Sequence, residues 1–162
     1  MIIDNILIDK LTADAKASPR LRMNLDLRNS DADSSQRMLN AIEPGSVVPV
    51  HRHQKTSETV VVLRGRVVEE YYSSDGAVVA SYELSAGGDA RSESGMTERK
   101  SGMTERKSGM TERKSGMTEV ACALNIPAAQ WHTLRALESG TVILEMKDGA
   151  YEPIGPEDIL SM

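Results

Sequence analysis

The fold class that the sequence predicts is mainly β: a single barrel or sandwich domain preceded by one short helix. Three observations carry this. The chain has 162 residues, which is one domain's worth. From residue 20 onward, short apolar or alternating runs follow one another with turn residues between them. Helical periodicity is confined to residues 1–17. The apolar fraction of 40% and charged fraction of 27% are those of a soluble globular protein. There is no Phe, so Val, Leu, Ile and Met must fill the core.

Taken in order, Asp4 is placed to cap an amphipathic helix whose Ile6, Leu7 and Leu11 share a face, and Ser18-Pro19 ends it. Arg20 to Arg28 alternates strictly, with Leu21, Met23, Leu25 and Leu27 on one side of a strand and Arg22, Asn24, Asp26 and Arg28 on the other. Gln36 to Ile42 reads as the next strand, closed by Pro44-Gly45. Val47 to His53 and Glu58 to Arg64 follow, separated by Gln54-Lys55-Thr56-Ser57. Arg66 to Tyr72 and Ala77 to Leu84 flank the hairpin signal Ser74-Asp75-Gly76. Val120 to Ile126, His132 to Leu137 and Thr141 to Lys147 complete the set. The tail, residues 150–162, contains Pro153 and Pro156 and is expected to lie extended over the barrel.

Residues 94–119 interrupt this pattern with a tandem repeat. Ser-Gly-Met-Thr-Glu-Arg-Lys begins at Ser94, Ser101 and Ser108, and a fourth copy from Ser115 breaks off after Glu119. A coiled coil is a poor reading of the seven-residue period. Each heptad offers one apolar residue where a seam needs two, and each carries a helix-weakening Gly. A solvated loop, arising by in-frame duplication, is the expectation.

Charge and cysteine content narrow the function. The formal charge is −5, and about −8 once the three complete copies, each +1, are set aside. That is a poor match to a nucleic-acid binder. Cys122 is the only cysteine, which excludes an intramolecular disulfide, makes a Cys-based zinc site improbable and fits a reducing compartment. No run approaches a membrane span, and the N-terminus lacks the pattern of a signal peptide. A cytoplasmic protein acting on something small is the expectation, with no nucleic-acid or membrane partner.

The chemistry lies in the three histidines. His51 and His53 are two apart on an extended segment, so their imidazoles share a face. Glu58 opens the next strand after a chain reversal, and His132 opens a later one. A lone histidine is ordinarily a surface or core residue, and an acid at a strand start is commonplace. It is the spacing that separates these four from that background. Gly45, five residues, His51-x-His53, four residues, Glu58, six residues, Gly65 resembles the first motif of the cupin superfamily at every position. Asn125 to His132 resembles the second, with Ala129 where the family usually has Gly and Ala136 where it often has Asn. Ser18 to Asn24, Ser35 to Asn40 and Lys147 to Pro153 are similar to the WbuC-type cupin metalloproteins, which are associated with bacterial surface-polysaccharide gene clusters.

The resemblance implies a double-stranded β-helix (jelly-roll) barrel, a homodimer, and one divalent ion held by His51, His53, Glu58 and His132. Fe, Mn, Ni, Zn and Cu all suit three imidazoles and a carboxylate. An octahedral ion would keep adjacent positions open to a substrate, to water or to O₂. The implied function is a metal-dependent enzyme on a small polar molecule, such as a sugar or sugar-nucleotide intermediate, by isomerase, epimerase or lyase-like chemistry. The alternatives are an Fe-dependent oxygenase and a non-catalytic metal-dependent binding or sensing module; whether the chain is an enzyme stays open. No residue stands out as a catalytic base.

Arg22, Asn24, Arg37 and Asn40 are candidates to grip an anionic or hydroxyl-rich ligand inside the barrel. The usual outward placement of polar strand residues favours a solvated face or subunit contact for them instead. Tyr71, Tyr72 and Tyr82 read as barrel packing, Trp131 as support for the segment before His132, and Cys122 as an inert core residue.

Overall fold

The computed structural model describes residues 1–87 and 121–161. The tandem repeats, expected to form a loop, lie outside the described residues.

Helix α1 (Asn5–Ala17) starts at Asp4, whose side chain accepts from the Leu7 amide at 3.0 Å, an N-cap worth about 1 kcal/mol. Its buried stripe is Ile8, Leu11, Thr12 and Ala15. Ile6 was expected to share the face of Leu11 but is 79% exposed, because positions 8, 11, 12 and 15 form the i, i+3, i+4 row that meets the sheet.

Eight strands follow: β1 (Arg22–Asp26), β2 (Ser35–Ile42), β3 (Glu58–Arg64), β4 (Arg66–Tyr72), β5 (Val78–Ser85), β6 (Ala123–Ile126), β7 (Trp131–Ala136) and β8 (Thr141–Asp148). They form two antiparallel sheets, ordered β1-β2-β8-β3-β6 and β5-β4-β7. The jelly-roll expectation is met. Between the sheets lies a core of Ile42, Val60, Val62, Val67, Tyr71, Leu84, Ile126, Leu134, Ala136 and Ile143.

A second core lies on the far face of the larger sheet, where Ile8, Leu11 and Ala15 of the helix cover Leu39, Ala41 and Val142, with Met23, Leu25 and Leu27 packed around them. β8 is therefore buried on both faces near its start, which is why Thr141-Val142-Ile143-Leu144 is a continuous run rather than an alternation. The apolar side of β1 serves the helix, and its polar side turns toward the barrel. Leu21 stands outside β1 with φ +55.

Two sequence expectations fail locally. Val47 to His53 is not a regular strand. Pro49 has no amide hydrogen to give a ladder, and only His51 forms bridges, one to His132 and one to Ile159 of the tail. Cys122 is exposed rather than buried, because β6 begins only at Ala123.

Gly65 joins β3 to β4 at φ +76, where a Cβ would drive into buried Thr141. One interior residue works against stability. Glu69 of β4 is fully buried, and neither carboxylate oxygen has a hydrogen-bond partner. Burial, then the charges of Glu58, Glu145 and Glu70, push its carboxyl up to about 9.

Because the folded-state value lies above the unfolded one, Glu69 lowers stability progressively as pH rises from about 4.5 toward 9. Glu69→Met should raise the melting temperature by a few degrees at pH 8.5 and by clearly less at pH 5. Thermal scans at the two values check this; an equal or reversed difference would contradict the assignment.

Candidate metal centre

Three separate segments deliver the cluster. His51 and His132 are joined by a reciprocal pair of backbone hydrogen bonds, His51 N to His132 O at 2.9 Å and His132 N to His51 O at 2.8 Å. This places the two rings 4.4 Å apart, centroid to centroid. His53 follows two residues later, its ring 5.2 Å from His51 and 5.8 Å from His132. Its carbonyl accepts from the Ala129 amide at 2.7 Å, which fastens the loop to the turn before β7. Glu58, first residue of β3, points inward with its Oε2 2.9 Å from His53 Nε2 and 3.9 Å from His132 Nε2. One potential ligand atom from each of the four lies within 4.8 Å of all the others.

The imidazoles are oriented for coordination. His51 Nδ1 lies 3.0 Å from the Pro49 carbonyl and His132 Nδ1 2.9 Å from the Gln130 carbonyl. A carbonyl only accepts, so Nδ1 carries the proton in each ring and Nε2 presents its lone pair. Burial, with help from the neighbouring His132, lowers His51 to about 4, and burial also lowers His132 against the pull of Glu58. Both are neutral at pH 7, the form that binds metal. Burial pushes the Glu58 carboxyl up, but close His53, the Lys147 ammonium and His132 outweigh it and hold Glu58 at about 2. His132 Nε2 and Glu58 Oε2 are buried without a hydrogen-bond partner, and the 2.9 Å approach of His53 to Glu58 lacks hydrogen-bond alignment. Converging unsatisfied lone pairs beside a carboxylate are what a cation needs. The residues fit a divalent ion.

The cluster opens into a cavity of about 260 Å³ lined by Arg22, Asn40, Ile42, Val48, Pro49, His51, Glu58, His132, Leu134, Glu145, Lys147, Ile154 and Ile159. Ile154 and Ile159 come from the tail, which pairs with residues 50–52 through Leu160 N to Val50 O and Arg52 N to Asp158 O. Arg52 also reaches the Asp158 carboxylate at 2.9 Å and lies over Trp131 at 4.3 Å, clamping tail to barrel. Of the four polar strand residues considered for substrate, Arg22 and Asn40 line the cavity. Asn24 shares their face, but its amide turns to Met38 Sδ at 3.3 Å. Arg37 is on the opposite face of β2, bound to Asp33 at 2.7 Å and to the Leu27 carbonyl.

Two cavity residues were not singled out from sequence. Glu145 and Lys147 follow Ile143 in the inward phase of β8, so a charged residue at a core-phase position was the available signal. Lys147 Nζ sits 3.3 Å from Glu58 Oε2 and 3.1 Å from His53 Nε2. Glu145 is enclosed by protein, although the part facing the cavity is open to a water-sized molecule. Burial, then the Glu58 charge, raises its carboxyl to about 8 against the opposing Lys147 and Asn40.

Residues 3–84 match the family described as a domain of unknown function (DUF6016). No curated protein matches the sequence. Among solved structures, KdgF from Halomonas sp. superposes with a TM-score of 0.52 at 12% identity, covering 83% of this chain and 84% of that one. An oxalate oxidase in complex with the substrate analogue glycolate gives 0.55 at 12% identity over 86% and 57%. Peruvianin-I, a cysteine peptidase from Thevetia peruviana latex, gives 0.54 at 10% identity over 87% and 68%. Relatives so different in activity establish a shared cupin barrel and no particular reaction. Among the described residues, no helix is long and apolar enough to cross a membrane.

The turn that delivers His132 contains Ala129 at φ +64, a left-handed conformation costing a residue with a Cβ roughly 1–2 kcal/mol. Ala129→Gly should therefore be neutral or stabilising by up to about 1 kcal/mol, once the extra flexibility of unfolded Gly is counted. Urea unfolding measures it, and a loss of about 1 kcal/mol, usual for Ala to Gly in regular structure, would refute the strain.

Proposed function

Since the chain belongs to the DUF6016 family and carries the cluster just described on a cupin barrel, we propose that it is a metal-dependent enzyme acting on a small polar molecule. The observation that carries this is the meeting of His51, His53, Glu58 and His132, their potential ligand atoms within 4.8 Å, at the wall of an open cavity. These four would hold one divalent ion, of which Fe, Mn, Ni, Zn and Cu all suit the donor set. Such an ion supplies Lewis-acid polarisation of substrate oxygens.

The protein's own contribution is positioning and proton traffic. Carbonyls of Pro49 and Gln130 keep the His51 and His132 lone pairs aimed at one point. Lys147 stands against Glu58 and offsets part of its charge. Pro49, Leu134, Ile154 and Ile159 supply apolar lining to the cavity. Glu145, carrying its proton at neutral pH, is the group in reach of a bound molecule that can give up a proton and take one back. That exchange is what isomerisation, epimerisation and elimination require. The finer resemblance, to WbuC-type proteins, favours a sugar or sugar-nucleotide intermediate of surface-polysaccharide biosynthesis as the substrate. A cavity of about 260 Å³ takes the sugar portion and leaves a nucleotide outside.

Metal analysis of the purified protein should find stoichiometric divalent ion, and His51→Ala or His132→Ala should lose it while circular dichroism keeps the β signature. Retention of full metal by either variant would defeat the reading. Product analysis on a sugar and sugar-acid panel, with oxygen uptake followed in parallel, then tests the reaction class. Glu145→Gln is expected to lower turnover by about 10²–10⁴-fold with metal content unchanged. Oxygen consumption coupled to product would replace the isomerase-type reading with an oxygenase, and undiminished turnover in Glu145→Gln would remove Glu145 from the mechanism.

A further inference from the structure

The cavity beside the cluster has a chemical bias that its walls define. Its charged lining is Arg22, Lys147, Glu58 and Glu145. Lys147 and Glu58 face each other at 3.3 Å and largely cancel. Arg22 has no such partner. Its Nη1 donates to the Val47 carbonyl, in the segment that leads to His51, and among the described residues it forms no ion pair. That single bond leaves most of the guanidinium's five N–H donors unengaged. Arg22 is thus a cationic donor in the cavity wall with no carboxylate partner among the described residues.

Register explains why Arg22 is inside. On the inner face of the larger sheet, Arg22 pairs with Ile42 and Asn24 with Asn40, so the polar side of β1 continues the inward side of β2. Asn40 sits opposite Ile143 on β8, two residues before Glu145. A guanidinium, an amide and a carboxyl therefore line one wall, with Ile42, Val48, Pro49, Leu134, Ile154 and Ile159 as apolar filling. About 260 Å³ is the share of roughly nine waters, and because bonded atoms pack more closely than waters it admits a molecule of about nine to thirteen non-hydrogen atoms.

We propose that this site takes a small carboxylic acid bearing a second oxygen function, a hydroxy or oxo acid of about four to six carbons, with its carboxylate on Arg22 and its other oxygens toward the histidine cluster. The assignment rests on the metal-enzyme reading for the orientation of the ligand. The carboxylate subsite rests on Arg22 alone. Asn40 serves a hydroxyl of the chain, and the apolar residues cover its carbon skeleton.

Calorimetric titration of the full chain, metal-free and Mn(II)-loaded, with matched pairs tests this: erythronate against erythritol, and gluconate against glucitol. The acids should bind at least about tenfold more tightly than the polyols, the size of one charge-assisted pair. Arg22→Gln should erase most of that preference without changing metal content, and Arg22→Lys, which keeps charge but loses the fork, should retain an intermediate part. The wild-type comparison needs no variant, so a misfolded Arg22→Gln leaves the test intact. Equal affinity of acid and polyol, no binding of either acid, or an acid preference that survives Arg22→Gln would each overturn the proposal. If no metal is held but metal-free protein still prefers acids through Arg22, the enzyme reading fails and the carboxylate subsite stands.

Discussion

Two backbone hydrogen bonds between His51 and His132 hold the centre of this molecule together. They tie an irregular segment from the first half of the chain to the start of β7, separated by 81 positions, and so bring two imidazoles within 4.4 Å of each other, centroid to centroid. On the other side of the same segment, Val50 and Arg52 pair with the tail. The bridge therefore fixes the ligand cluster and the cavity roof together. A regular strand over residues 47–53 would use every backbone group in one ladder. The break at Pro49 frees its carbonyl to orient the His51 ring instead.

The interior on which this bridge sits is unusually polar for a β-barrel. Glu58, Glu69 and His132 are buried, and Glu145 and Lys147 line the cavity between the sheets. Burying such groups costs several kcal/mol each when they stay charged without partners. The molecule meets part of that cost by neutralisation: Glu69 and Glu145 hold their protons and His51 and His132 shed theirs. Glu58 is held firmly ionised, with Lys147 and His53 against it. Stability is supplied elsewhere, by the two apolar layers on either side of the larger sheet, where Leu39, Ala41 and Val142 are completely buried.

Much of this was legible in the residues. β3 and β4 begin and end where alternation and Gly65 place them, and β8 extends the expected run by one residue, because period-two patterns and glycine turns are local properties. The candidate cluster was legible too, since the spacing of His51, His53 and Glu58 around a chain reversal needs only strand geometry to converge. Ile6, Cys122 and the 47–53 segment were misread for one shared reason. Each depends on what covers it: the sheet beneath α1, the late start of β6, and the bridge partners of His51.

By itself, then, the sequence determined that the chain forms an antiparallel β domain with one short helix, and that three histidines and a glutamate stand where strands can bring them together. Which face of β1 points inward, and that Arg22, Glu145 and Lys147 share a chamber with that cluster, was decided only in three dimensions. Alternation tells that two sides of a strand differ, but a sheet covered on both faces gives apolar residues two destinations. Here the helix takes the apolar side of β1 and leaves the polar side to the barrel.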